Sequence, residues 1–449
     1  MHGGGEMTTG YIFRVVTVKR WSVALIVASL ATSIAAQAAS LTVGTCPGAG
    51  FSTIQTAVDA AHAGDTVNVC PGSYPEQVSI NKSLTLQGIT VGSQNAAVIA
   101  APAGGLVANA TDPRTGFGEA AQVLVTPGTN HSTSVKLQNL TVDGLNNGIV
   151  GCTPTFPMVL GILYQDAGGT VSNVATQNQM LPPASSGCDS GSGIRAESSP
   201  SAGKQSVTVQ NSTVHDYQKN GITAIGDSIS VALSKNSIRG QGPTTGGPEN
   251  GIQVSFGASG KVQNNDVIDN VFIGNNGFAG SGILVFGSSK VQVTGNTVGN
   301  NQFGIAVESV TPPDADNTLI KSNMIFGTLD IDGIDLCSNN NTVTNNTIAS
   351  SDESGIDLDS GCGSTGNNNS VKRNTINQAC AGILAGSGTS GNTTTPNIFF
   401  NVTNTILAAD VCPAAALAAH QGQAQSASGI CGRLLRFNRR PYENRSPRR

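Results

Sequence analysis

The sequence predicts an all-β solenoid: many short strands wound into stacked coils around one long core. Two observations carry this. The dipeptide Gly-Ile recurs at Gly148, Gly161, Gly193, Gly221, Gly251, Gly282, Gly304, Gly333, Gly355 and Gly382, with spacings of 22 to 32 residues from Gly161 onward. Asparagines at 139, 173, 211, 236, 265, 296, 323, 346, 374 and 404 each precede a short aliphatic or β-branched segment such as NSTV, NTVG or NTIA. Fixed-period self-similarity of this length marks a repeat architecture. Each repeat holds two or three strands too short to fold alone, so neighbouring coils must satisfy one another's backbone groups. Composition agrees: Gly is abundant at 56 of 449 residues, while aromatic residues are 4% and charged residues 11%. Short strands joined by turns need this mixture, whereas a compact enzyme of this length carries more charge and more rings.

The N-terminus reads as an export signal, residues 1–38. Arg14, Lys19 and Arg20 precede the apolar run 23–36, and Ala36-Gln37-Ala38 gives an A-x-A cleavage pattern. The run is short for a bilayer span, so no membrane segment is expected after cleavage. Export makes disulfides the expected state of the nine cysteines. None lies in a CxxC pattern. Neighbouring pairs such as Cys46–Cys70 and Cys337–Cys362 are expected, connectivity stays open, and Cys431 is the expected odd one.

The helical spacing of Phe51, Ile54, Ala57 and Val58 predicts an amphipathic helix over 51–62, ended by Gly64-Asp65. Such a helix would cover the first coil. Strands follow at 65–69, 78–80 and 84–86. The repeat domain runs over 39–411. Residues 412–449 are the remaining part, with CPAAALAAHQ (412–421) as a candidate cap for the last coil and a disordered basic tail behind it. The last 17 residues hold seven arginines and one glutamate, whereas residues 39–432 hold 13 Lys/Arg against 25 Asp/Glu. The acidic body excludes nucleic acid as the expected partner.

The stretch FSTIQTAVDAAHAGDTVNVCPGSYPEQVSINKSLTLQG (51–88), followed by the repeats, resembles the right-handed parallel β-helix proteins of the pectin-lyase-like superfamily. The resemblance implies a right-handed parallel β-helix of about a dozen coils over roughly 44–410, with an N-terminal capping helix. With the export signal, a secreted, periplasmic or cell-surface protein is expected, a monomer whose elongated walls suit a linear polysaccharide. One fold hosts many chemistries, so the activity must come from the site.

Aligning the Gly-Ile strands places isoleucine inward and the next residue outward. The outward column reads Leu163, Arg195, Thr223, Gln253, Leu284, Ala306, Asp335, Asp357, Leu384, and the next contains Glu197, Ile225, Ser255, Phe286, Glu308, Cys337 and Asp359. IDGIDLC (331–337) and ESGIDLD (353–359) thus set Asp335 and Asp357 one coil apart, at about 4.8 Å. Between Glu308 and Asp359 stand ten acids and one base, Lys321. Carboxylates this close need a proton or a cation between them.

Three readings are open. Asp335, Asp357 and Asp359, with Lys321 as base, suit acid–base chemistry on a uronate-containing or other polysaccharide, as lyase, hydrolase or epimerase. Glu308, Asp332, Asp335, Asp357 and Asp359 suit a Ca2+ site. Exposed ladder acids without chemistry are the third reading, and a non-catalytic surface or adhesion module is the rival class. TLDIDGIDL (328–336) is loosely similar to the NTDGID signature of polygalacturonases, but Leu329 replaces its leading asparagine and no GHG or RIK follows. VHDYQKNG (214–221) gathers His215, Asp216, Tyr217 and Lys219, the residue types of mannuronan C5-epimerases, without their DPHD-like run. The few rings able to stack on sugar are Phe256, Phe272, Phe278, Phe286 and Phe303. They favour a sugar groove if they line one wall beside Glu308 and Asp335.

Overall fold

The computed structural model describes residues 38–129, 132–273, 279–309, 314–329, 331–360 and 364–408. The expected export signal, the 412–421 cap and the basic tail lie outside them. The chain winds as a right-handed parallel β-helix. Each full coil contributes one strand to each of three walls. In one coil these are Gln205–Gln210 on wall A, Thr213–His215 on wall B and Asn220–Ile225 on wall C. Wall A is a 12-stranded sheet from Ser40–Val43 to Ser370–Lys372, and walls B and C join into one 22-stranded sheet. The expected dozen coils are present.

Register follows the repeat. On wall C, Ile162, Ile194, Ile222, Ile252, Ile283, Ile305, Ile334, Ile356 and Ile383 pair in unbroken sequence. All face the core, which runs as one cluster from Val43 to Ile383. Ile149 is the exception: it joins a separate small cluster with Leu106 and Leu181 instead of the column.

The glycine before each isoleucine of this column does not serve a left-handed bend, because none of them, unlike Gly148, has positive φ. Space is the constraint. A Cβ on Gly304 would lie 2.4 Å from the Gly333 carbonyl oxygen and 2.5 Å from Ile325 Cγ2. Gly333 would meet Ile348 Cγ2 at 2.5 Å and the Gly355 oxygen at 2.6 Å. Only glycine lets walls B and C approach here.

The asparagine column also divides into two. Asn139, Asn173 and Asn211 are left-handed residues of the turn between walls A and B, with φ of 57°, 52° and 50°. From Lys235-Asn236 onward the left-handed residue comes first, and the asparagine after it points inward. Asn236, Asn265, Asn296, Asn323, Asn346, Asn374 and Asn397 then form a buried ladder, each Nδ2 donating to the next Oδ1 at 2.9–3.0 Å. Each Oδ1 also accepts a backbone N–H from the preceding coil, as Asn346 does from Asn323 N at 2.9 Å. The ladder ends on Asn397. Asn404 lies inside the last strand, opposite Ala381.

At the front, a helix spans Ile54–Ala60, shorter than the expected 51–62, and buries Ile54, Ala57 and Val58. Phe51 instead bridges to Val43. The Glu76 carboxylate accepts from Ile54 N and Gln55 N at 2.8 and 3.0 Å, and Lys82 Nζ donates to the carbonyls of Val58, Asp59 and Ala61. An anion and a cation therefore complement the two ends of the helix.

Disulfides join Cys46–Cys70, as expected, and Cys152–Cys188. Cys337 and Cys380 are also disulfide-bonded. Cys362, the expected partner of Cys337, lies outside the described residues. Disulfides persist in oxidising compartments, so the chain works outside the cytosol. Among the described residues no helix is long and apolar enough to cross a membrane.

Replacing Asn323 by Ala removes the acceptor of two buried donors of Asn296 and the donor to Val293 O. Urea unfolding is expected to show a loss of about 3 kcal/mol. Asn211→Gly, at an exposed turn with φ 50°, is expected to stay within about 0.5 kcal/mol of the parent.

Candidate functional site

The two outward columns of wall C occur in the expected register: Leu163, Arg195, Thr223, Gln253, Leu284, Ala306, Asp335, Asp357 and Leu384 follow coil by coil. They do not form an open wall. Asp335 is 1% exposed and Asp357 5%. Inserted segments arch over this face. A short antiparallel pair, Ala110–Thr111 with Gly118–Glu119, folds back near its front, where Ala110 and Met158 pack on Leu124 and Leu163. Further along, Phe303, Ala306 and Ile331 form an outer apolar cluster with Ala279 and Leu284.

The carboxyl oxygens of Asp335, Asp357 and Asp359 come within 4.8 Å of one another. Asp335 and Asp357 are held by the pairing of their strands, and Asp359 by its backbone N–H donating to Leu336 O at 3.0 Å. Asp359 is half-buried, and its Oδ1 accepts from Ser360 N at 2.6 Å. Asp332 is engaged elsewhere: its Oδ1 accepts from Ser354 N at 3.1 Å and Ser354 Oγ at 2.7 Å, tying two coils together. Glu308 stands in register between Phe286 and Cys337, half-buried on the same face. Lys321 is not brought to these acids. It ends a strand of wall A, exposed, beside a shallow open depression lined by Asn264, Thr294 and Ser322.

The VHDYQKNG residues also diverge. Tyr217 points into the core, where its hydroxyl donates to Asn270 Oδ1 at 2.5 Å. His215 Nδ1 pairs with Asp216 Oδ2 at 2.7 Å on the half-exposed outer side, and Lys219 Nζ lies 3.3 Å from Asp189 Oδ1. Of the phenylalanines, Phe256 and Phe286 meet edge to face on wall C, ring centroids 5.5 Å apart. Phe286 pairs with Glu308, so rings and acids share this wall. Phe278 lies outside the described residues.

A second charged cluster, five coils before Asp335 and beyond what the repeat could indicate, is fully buried. Arg195 Nε donates to Glu197 at 2.6 Å, its Nη2 lies 2.8 Å from Asp112 and 3.4 Å from Glu119, and Nη1 faces Met158 Sδ. Gln165 Nε2 also donates to Glu197 at 2.7 Å. Arg195 and Glu197 come from the outward columns. Asp112 comes from the loop inside the antiparallel pair, and Glu119 from the start of the wall-C strand Gly118–Val125, where it pairs with Met158 of the next coil. One cation faces three carboxyls, and protons correct the balance. Burial pushes Glu119 up to about 9; Arg195 opposes this, and Glu197 and Asp112 add to it. Asp112 behaves oppositely. Burial again favours its neutral form, but Arg195 and the backbone N–H groups of Arg114 and Thr115 together hold it below the usual range. Glu249, on the approach to the next wall-C strand, is buried and pushed up to about 8 by desolvation, with Gln241 opposing.

Comparison with known proteins supports the architecture. Residues 242–411 match a family described as periplasmic copper-binding protein (NosD). The chain is similar to the Dettilon tailspike protein (18% identity, 78% of this chain and 64% of that one, TM-score 0.52). It is likewise similar to a surface protein and adhesin of Streptococcus pneumoniae (15%, 79% and 95%, TM-score 0.50). A mannuronan C-5 epimerase A-module of Azotobacter vinelandii aligns at 17% identity over 76% of this chain and 94% of that one, with TM-score 0.39. For the tailspike and the adhesin, at these identities, the likeness is one of fold alone. A search of curated proteins finds no match.

The raised carboxyls give stability a definite pH sign. Glu119 and Glu249 keep a proton in the folded chain that an unfolded carboxyl releases near pH 4.5. The folded state therefore loses stability as pH rises from about 4.5 towards 8–9, and this contribution levels off above. Urea unfolding at pH 5, 7 and 9 is expected to show the decline, and Glu119→Gln with Glu249→Gln is expected to flatten it.

Proposed function

We propose that this extracytoplasmic β-helix of the pectin-lyase-like superfamily binds an anionic, uronate-containing polysaccharide along wall C, with Ca2+ held by Asp335, Asp357 and Asp359. One observation carries the reading: three carboxylates from neighbouring coils converge within 4.8 Å on a wall that also bears Phe256 and Phe286. Ca2+ takes six to eight oxygens. Three aspartates leave positions for backbone oxygens, water and a sugar carboxylate. Asp359, the half-buried member, is the one placed to share the cation with a ligand.

Binding is favoured over turnover by two features of the same residues. Asp335 and Asp357 are covered, so neither reaches a glycosidic bond in this conformation. Lys321, the only base of the acidic segment, stands on wall A. A lyase, hydrolase or epimerase would require these groups to meet at one sugar.

Copper, named in the description of the matching family, does not suit the residues present. Residues 242–411 contain no histidine. Met324, the single methionine of that segment, is exposed on wall B, and Cys337 and Cys380 are disulfide-bonded. Soft and imidazole donors are what copper sites use; this set is hard oxygen.

Calorimetric titration of CaCl2 is expected to give one site per chain, lost in Asp335→Asn/Asp357→Asn and weakened in Asp359→Asn, with circular dichroism unchanged in the single variant. A wild-type chain indifferent to Ca2+ sinks the cation reading.

A further inference from the structure

Phe256 has an unusual backbone. It follows the wall-C strand Asn250–Ser255 with φ of 54°. The register puts Gly226 one coil before it and Gly287 one coil after, with φ of 99° and 55°. The neighbouring coils thus use glycine at this left-handed turn, and this coil uses a bulky ring. For such a residue the left-handed region is an outlier, and outliers of this kind gather where a side chain is put to use. The ring stands half-buried on the outer side. Phe286 braces it edge-on at an interplanar angle of 81°. The Arg114 guanidinium lies over its face, 4.3 Å from the centroid. Arg114 is exposed, but its loop is anchored two residues earlier by the buried Asp112–Arg195 pair.

We propose that Phe256 and Arg114 form a subsite for one acidic pyranose, the ring receiving the C–H face of the sugar and the guanidinium its carboxylate. This rests on the polysaccharide reading of wall C but not on the cation. In the free protein Arg114 covers the ring. An exposed cation–ring contact is weak, and a guanidinium–carboxylate pair is bidentate and directional, so an acidic sugar can take the guanidinium's place over the ring while the guanidinium turns to the carboxylate. A neutral sugar offers the ring but no such pair. Ser255 is three coils from Cys337 along the pairing, so the subsite lies about 14 Å from the Asp335 coil. One extended chain can reach both.

The test titrates a galacturonate hexamer and a neutral galactose hexamer, with Ca2+ and with EDTA, into wild type, Phe256→Gly and Arg114→Gln. Phe256→Gly is expected to keep or raise Tm, since glycine suits the turn, and to weaken the galacturonate hexamer about tenfold. Arg114→Gln is expected to erase the preference for the acidic over the neutral hexamer. A Phe256→Gly chain with lowered Tm and unchanged affinity overturns the subsite and makes the ring a packing residue. Binding that persists in EDTA yet depends on Phe256 upholds the subsite and removes the cation site. A wild type that binds neither hexamer overturns both readings.

Discussion

Stacking in register at about 4.8 Å is the constraint from which the rest follows. Each residue sits directly between its counterparts in the coils above and below, so a side chain must tolerate copies of itself. Isoleucine does so by packing. Asparagine does so better, because one amide both donates and accepts, and seven of them close a buried ladder. Aspartate cannot, since an ionised carboxyl only accepts. Where the chain stacks Asp335 on Asp357, it needs a further positive or donating group, and that need is why the pair is more informative than any other residues of the column.

The same constraint explains what could be read from the letters alone. In a parallel stack the repeat interval is the register, so the Gly-Ile spacing located wall C and its outward residues from Leu163 to Leu384. The reasons behind the letters were less visible. Glycine was chosen at 304 and 333 for closeness of two walls and not for a bend. Asn211 and Asn236 look alike in sequence, yet one is a left-handed turn residue and the other a ladder residue one position later. Both distinctions depend on a neighbour a full coil away, which no local pattern contains.

The outer face was legible only where it repeats. Asp112 and Arg114 come from an insertion without period, and Glu119 lies ahead of the repeating part of its strand, so their convergence on Arg195, Glu197 and Phe256 had no signal except that Arg195 and Glu197 lay in outward columns. For the same reason the burial of Asp335 and Asp357 was not foreseen: what covers a wall is decided by the insertions. In this molecule the regular part supplies the scaffold, and the irregular part decides which scaffold residues are covered.

The turn between walls A and B keeps one form, a left-handed residue followed by the ladder residue, from Asn211-Ser212 to Arg373-Asn374. The coils vary in length elsewhere. Evolution therefore has one corner that must stay fixed and others that are free to grow. A coil could be duplicated or deleted between two ladder asparagines without disturbing either neighbour, because every ladder residue presents the same donor and acceptor to the next. Reach along a polymer could then be changed by whole coils, and selectivity by loop sequence, as two separately inherited traits.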